Sequence, residues 1–287
     1  MPWIKLFWPS FRRAAGCGLF GLFLLAGGCA ADGNRPASPD AETATVDTLL
    51  RVAARTRAGG DLASAVGLYQ RAHLLDPKRA EPLVELGFTL SAMGAKRDAA
   101  TALRTALALE PENANARREL AYTLLALSEP QAAYEEFRQV SERQGEDAAT
   151  LNGMGVALDR LGDHARAQAN YRKALSMTPE NLSVRNNLGL SLALNGKHKE
   201  AIRLLQEVAV DSAASPRERQ NLALAYGLAG DFEAAAKVGR IDLKEGAVQS
   251  NLAYYRHLRT LSETARVNAV MTGQPTGESA AAKGAHD

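Results

Sequence analysis

A unit of 34 residues is repeated six times along the middle of the chain, and this repeat constrains the fold more than any other feature of the sequence. The copies follow one another without insertion, which is typical of stacked helical hairpins. They span residues 46–79, 80–113, 114–147, 148–181, 182–215 and 216–249. Because one hairpin cannot bury its apolar face alone, we expect the stack to be the folding unit.

Each copy has small residues at its eighth and twentieth positions and a larger apolar residue at its twenty-fourth in all copies but the last. In the second copy these are Gly87, Ala99 and Leu103, and the two small residues would let the helices of the hairpin approach closely. The fifteenth position is glycine in five copies and Ser128 in the third, which predicts a turn with left-handed backbone. The helix-starting residues Asp61, Asp163 and Asp231 follow three of these turns.

These spacings resemble the tetratricopeptide repeat, a pair of antiparallel helices. We therefore predict an all-α fold, a right-handed α-solenoid of six tetratricopeptide-type hairpins over residues 46–249, with a C-terminal capping helix over 250–271. The last stretch, residues 272–287, is small and polar, which predicts a disordered tail.

The charge balance argues against nucleic acid as a partner. The chain has 34 basic and 32 acidic side chains, but three of the basic ones lie in the first 28 residues, which contain no acidic residue. Without that segment the remaining 31 basic and 32 acidic side chains give no broad cationic face. The two cysteines both precede the repeats, so the body of the chain can form neither a disulfide framework nor a thiolate metal site.

The N-terminal segment has the order of an export signal. Basic residues lead into an apolar run of about ten residues, which is too short to span a bilayer as a helix. The end of this segment, Leu25-Ala-Gly-Gly-Cys29, resembles the lipobox of bacterial lipoproteins. We predict a signal peptide over 1–28, a diacylated Cys29 and a flexible tether over 29–45. Ala30 after the cysteine favours the outer membrane, facing the periplasm; the alternative is an ordinary cleaved signal in which Cys29 is incidental.

A lipobox followed by six such repeats resembles TadD, the lipoprotein family of Flp (tight-adherence) pilus assembly. The residues from Arg219 to Ala235 look like that family's final repeat, and Asn251-Leu-Ala-Tyr-Tyr-Arg256 looks like its closing helix. The resemblance implies a periplasmic scaffold that binds a pilus-assembly protein, as pilotins bind the secretin subunits that they escort to the outer membrane. The alternative is a general periplasmic scaffold or chaperone for envelope or exopolysaccharide assembly.

No arrangement of side chains in the sequence predicts catalysis. The five histidines are scattered over different repeats and the tail, and none pairs with another at metal-binding spacing. Asn195-Gly-Lys197 is similar to the end of a phosphate-binding loop, but it lacks the upstream glycine and the following Ser or Thr. We therefore expect no enzymatic activity, no cofactor, no metal and no small-molecule substrate; a regulatory arm of an enzyme would need a catalytic domain, for which the chain has no room.

In tetratricopeptide proteins the first helix of each hairpin lines a concave groove, chiefly through its second, fifth, ninth and twelfth positions. The ninth position is apolar in all copies, and the fifth carries an amide in the last three. An apolar stripe beside amides suits a helix or an extended segment of a protein partner. The predicted groove residues are Val84, Phe88, Arg118, Tyr122, Asn152, Val156, Asn186, Leu190, Gln220 and Leu224. The alternative is that the ninth position packs within the stack; Arg118 alone is too little for a carboxylate clamp.

Overall fold

A computed structural model describes residues 39–272, and this part of the chain consists of fourteen α-helices joined by short turns, without a strand. The helices are α1 (Pro39–Ala58), α2 (Leu62–Leu75), α3 (Glu81–Met93), α4 (Lys96–Leu109), α5 (Ala114–Ala126), α6 (Pro130–Gln144), α7 (Ala148–Arg160), α8 (His164–Met177), α9 (Leu182–Leu194), α10 (His198–Ala209), α11 (Pro216–Ala229), α12 (Phe232–Gly239), α13 (Glu245–Thr260) and α14 (Glu263–Thr272). The first twelve form six consecutive hairpins, so the predicted all-α hairpin fold is confirmed. The predicted signal peptide, Cys29 and the tail beyond 272 lie outside the described residues.

The chain divides into two compact units, whose described parts are residues 39–116 and 117–272. In the N-terminal unit, α2 packs against α1 and α3, and α3 packs against α4. In the C-terminal unit, each helix from α6 to α12 packs against the next. The first helices of neighbouring hairpins also touch there, α7 with α9 and α9 with α11. Among the described helices, none has the length and apolar content to cross a bilayer.

The repeated small and large residues form the core of the hairpins. The alanines at the twentieth position are buried in all six hairpins: Ala65, Ala99, Ala133, Ala167, Ala201 and Ala235. A Cβ at Gly87 would lie 2.5 Å from the Leu103 side chain, and one at Gly155 would lie 2.5 Å from the Tyr171 ring. Where the eighth position is glycine, the large side chain at the twenty-fourth position of the same hairpin packs directly against it, and this requires the close approach of the two helices.

The predicted turns and helix starts are confirmed. The backbone is left-handed at the fifteenth position of every hairpin, with φ of 81° at Gly162 and 63° at Ser128. Ser128 is the sole non-glycine residue with positive φ in residues 39–272. The predicted N-caps each accept a hydrogen bond from a backbone N–H three residues on: Asp61 from Ser64, Asp163 from Arg166 and Asp231 from Ala234. Local sequence thus fixes where each of these helices begins.

Two boundaries differ from the expected ones. Helix α1 begins at Pro39, so residues 39–45, which we predicted as the end of the tether, are helical. Proline is compatible with a first helical turn, because the backbone N–H there has no partner within the helix. The closing segment is two helices rather than one: the backbone is extended at Leu261, and the Ser262 hydroxyl accepts a hydrogen bond from the Ala265 N–H and begins α14.

Candidate protein-binding site

In the N-terminal unit, the predicted groove residues lie on α3, the first helix of the second hairpin. Val84 is buried and Phe88 is half-buried. Both side chains therefore contribute to packing around α3, and Phe88 keeps part of its ring surface accessible. A role for this pair in partner binding stays a prediction.

In the third hairpin the two predicted residues contact their own unit. The Tyr122 ring packs edge-on against Phe137 with its centroid 5.0 Å away, and its hydroxyl donates to the Ala149 carbonyl at 3.3 Å. Burial raises the pKa of Tyr122. The Arg118 guanidinium lies 3.8 Å from the Asp147 carboxylate. Tyr122 thus packs within its own unit on at least one side of its ring, which agrees with the alternative that the ninth position packs inside the stack.

Each amide at the fifth position of the last three hairpins accepts a hydrogen bond from an amide side chain of the next hairpin or of α13. Donor amides of the next element reach acceptor amides of the previous one at 3.0, 2.9 and 3.3 Å. The pairs are Asn187 to Asn152, Asn221 to Asn186 and Asn251 to Gln220. We call this row the amide ladder. These bonds join α7 to α9, α9 to α11 and α11 to α13. Asn186 is fully buried, whereas Asn152 and Gln220 are partly exposed, and a bond from these two to a partner's backbone stays a prediction.

The apolar ninth position is buried throughout the last three hairpins, where it is occupied by Val156, Leu190 and Leu224. Helix α14 makes its main contacts with α7 and α9, the first helices of hairpins four and five, and with α13. Helix α13 in turn packs against α11 and α12. The face predicted to bind a partner is therefore covered in part by the chain's own C-terminal helices.

A buried polar cluster, which the sequence analysis did not identify, joins hairpins four and five. Asp159 at the end of α7 accepts hydrogen bonds from the Tyr171 hydroxyl at 2.9 Å and the Ser191 hydroxyl at 2.6 Å. The His164 Nδ1 lies 2.7 Å from the same carboxylate. The four residues are all buried. Spacing within one repeat gives no signal for such a cluster, because its members come from three helices.

The groups of the polar cluster bond to one another in the interior of the C-terminal unit. The Ser191 hydroxyl donates to Asp159 and not to the histidine, so the cluster lacks the serine–histidine contact of a hydrolase triad. Burial raises the pKa of Asp159, partly offset by the hydrogen bonds that it accepts, and raises the pKa of Tyr171, which stays a donor. Within residues 39–272, no group of three or more His, Cys, Asp or Glu side chains is placed to hold a metal ion.

The raised pKa of Asp159 predicts a pH dependence of stability. The Asp159 carboxyl keeps its proton to a higher pH in the folded chain than in the unfolded chain, where the pKa of an aspartate is about 3.9. As pH rises through the window between the two pKa values, the wild type should lose stability relative to Asp159→Asn, whose amide does not titrate. Urea unfolding of both proteins between pH 4 and pH 8 measures this difference. A difference that is constant, or that grows in favour of the wild type as pH rises, would contradict the assignment.

The geometry defines the class of protein. Residues 84–149 and 152–218 match the tetratricopeptide repeat family model, so the hairpins in these two ranges are similar to tetratricopeptide repeats. Among solved structures the chain is similar to PilW, described as a widely conserved type IV pilus biogenesis factor, at 16% identity over 76% of this chain and 96% of that one, with a TM-score of 0.61.

Two further structures share the fold. PilF of Pseudomonas aeruginosa is 17% identical over 74% of this chain and 99% of its own, with a TM-score of 0.59. MamA of Desulfovibrio magneticus RS-1 is 21% identical over 57% and 93%, with a TM-score of 0.54. At these identities the likeness is one of fold. A comparison with curated protein sequences gave no match.

Proposed function

We propose that this chain is a lipid-anchored periplasmic scaffold for assembly of the Flp (tight-adherence) pilus machine, with a secretin subunit or another pilus-assembly component as its protein partner. It acts by presenting a binding surface close to the membrane and makes or breaks no covalent bond. Tetratricopeptide repeats are scaffolds of this kind. The near-neutral body of the chain suits a protein partner better than nucleic acid.

The observation that carries the proposal is the resemblance of the C-terminal repeat and closing helix to the TadD family. The two segments that carry it, Arg219–Ala235 and Asn251–Arg256, fall on α11, α12 and α13, which pack against one another. The closing segment is thus docked on the last hairpin as a unit. The likeness in fold to PilW, a pilus biogenesis factor, agrees with a role in pilus assembly.

The proposed role requires attachment to the membrane through Cys29. Replacing Cys29 by serine is expected to abolish acylation, because only the thiol can form the thioether to diacylglycerol. The measurement is incorporation of radiolabelled palmitate together with the share of the protein in the membrane fraction; we expect both to fall to background. Cys17→Ser is the matched control and should keep both. Equal labelling of the Cys29→Ser protein would contradict the anchor.

Deletion of the gene tests the assembly role. We expect loss of Flp pili and of secretin multimers from the outer membrane, restored by the wild type and not by Cys29→Ser. Normal pili and multimers in the deletion strain would overturn the proposal. The runner-up is a general periplasmic scaffold or chaperone for envelope or exopolysaccharide assembly, which the helical hairpins alone would fit equally well. In that case deletion would alter the envelope and leave pili intact.

A further inference from the structure

Helix α14 lies where a ligand of the repeats would be expected to bind. Its main contacts in the stack are with α7 and α9, the first helices of two successive hairpins, and not with their second helices α8 and α10. It therefore rests on the surface that the first helices of these hairpins present. We call this surface the α7/α9 face.

The sequence of α14 is amphipathic. Val267, Val270 and Met271 are buried, and they recur at the i, i+3, i+4 spacing of one helical face. Thr264 and Asn268 are exposed, and Ala269, which lies away from the face of Val267, Val270 and Met271, is also buried. This is the pattern by which a helical peptide binds in a groove, as anchors at i, i+3 and i+4. Helix α14 is thus bound to its own chain in the manner of a ligand.

The helical state of α14 depends on this surface. The helix has ten residues, and isolated helices shorter than about 12–15 residues are marginal in water. Its start is held by Arg266, which donates to the carbonyls of Leu258 and Leu261 at 3.2 Å each at the corner with α13. Val156 and Leu190, the ninth-position residues of α7 and α9, are buried in the structure. Release of α14 would expose apolar surface on both sides.

We propose that the α7/α9 face is the binding site for one amphipathic helix of the partner protein, with apolar residues at i, i+3 and i+4, and that this helix binds by replacing α14. The inference deepens the proposed function and rests on its scaffold role. Because α14 is joined to α13 through two residues, its effective concentration at the face is high. A free helix can bind only those chains in which α14 is released. Its apparent association constant is therefore the intrinsic one multiplied by the fraction of chains in that state.

The test uses the full chain, purified in detergent, and a fluorescent peptide of residues 261–272 as the probe. Substituting Val267→Asp and Val270→Asp together should release α14, and anisotropy should show the peptide binding at least about tenfold more tightly to this protein than to the wild type. Thr264→Asp with Asn268→Asp adds the same charge at two exposed positions of α14 and should bind like the wild type. The proposal would be overturned if the Val267→Asp, Val270→Asp protein had a native circular dichroism spectrum and bound the peptide no more tightly than the wild type.

Hydrogen exchange of the wild type gives a second measurement that needs no variant. We expect the amides of α14 to exchange faster than those of α7 and α9, and faster still when the unlabelled peptide is added in excess. The proposal would be overturned if the amides of α14 exchanged at the same rate as those of α7 and α9 and if added peptide did not change that rate. This outcome differs from failure of the pilus assignment, which would appear as intact pili in the deletion strain while the peptide still bound.

Discussion

Replacing Asp159 by alanine should lower the free energy of unfolding by about 3–5 kcal/mol, because three buried polar groups lose a shared partner and each costs about 1–3 kcal/mol when left unsatisfied. The carboxylate accepts from the Tyr171 and Ser191 hydroxyls and contacts His164, all within 2.9 Å. Alanine would leave these buried polar groups without their acceptor in a site that water does not reach. Because the three partners lie on α8 and α9, the loss should loosen hairpins four and five together.

The matched control for Asp159→Ala is Asp163→Ala, four residues further on. Asp163 caps α8 by accepting from the Arg166 N–H and is partly exposed, so its loss should cost only about 1 kcal/mol. The midpoint and slope of urea unfolding, followed by circular dichroism, give both values. Equal losses in the two proteins would show that the polar cluster contributes no more than a helix cap.

Gly155→Ala should destabilise the chain by about 2–3 kcal/mol, although alanine is the better helix former. The new Cβ would lie 2.5 Å from the Tyr171 ring, which is fully buried and held by its hydroxyl on Asp159. Neither the ring nor the helix can move without breaking that bond or opening the core, so overpacking outweighs the gain of about 0.5–1 kcal/mol in helix propensity.

Two proteins provide the controls for Gly155→Ala. Gly246 in α13 is exposed and a Cβ there would meet nothing, so Gly246→Ala should not destabilise the chain and should gain up to about 1 kcal/mol from helix propensity. In a Tyr171→Phe background the ring is no longer tied to Asp159, and Gly155→Ala should cost less than in the wild type. A Gly155→Ala protein as stable as the wild type would show that the ring has freedom that the structure does not indicate.

The sequence was sufficient for the hairpins because their signals are local. The turn residues, including Ser128, and the caps at Asp61, Asp163 and Asp231 act within a few residues of their own helix ends, and the 34-residue period aligns them. The start of α1 was missed because prolines in a polar segment were interpreted as a tether. The break between α13 and α14 follows from a single capping serine, Ser262, which the apolar pattern around it obscured.

The candidate site was predicted less well, because its features arise between repeats. The amides at the fifth position looked available to a partner, yet each pairs with an amide about one repeat further on, as Asn152 does with Asn187. The Asp159 cluster combines residues 5, 12 and 32 positions apart on α7, α8 and α9. The position of α14 depends on where the chain returns after α13, which no periodicity encodes.

The amide ladder has a consequence for how a chain of this kind can change length. Asn187 and Asn221 are themselves one repeat apart, so loss of residues 182–215 would bring Asn221 to the place that Asn187 holds, facing Asn152. The hydrogen bonds of the amide ladder can form again whenever a whole hairpin is gained or lost. The Asp159 cluster does not share this tolerance, since Ala225 would then stand where Ser191 donates. The Asp159 cluster therefore requires hairpins four and five to be neighbours, whereas the amide ladder can form with a different number of hairpins.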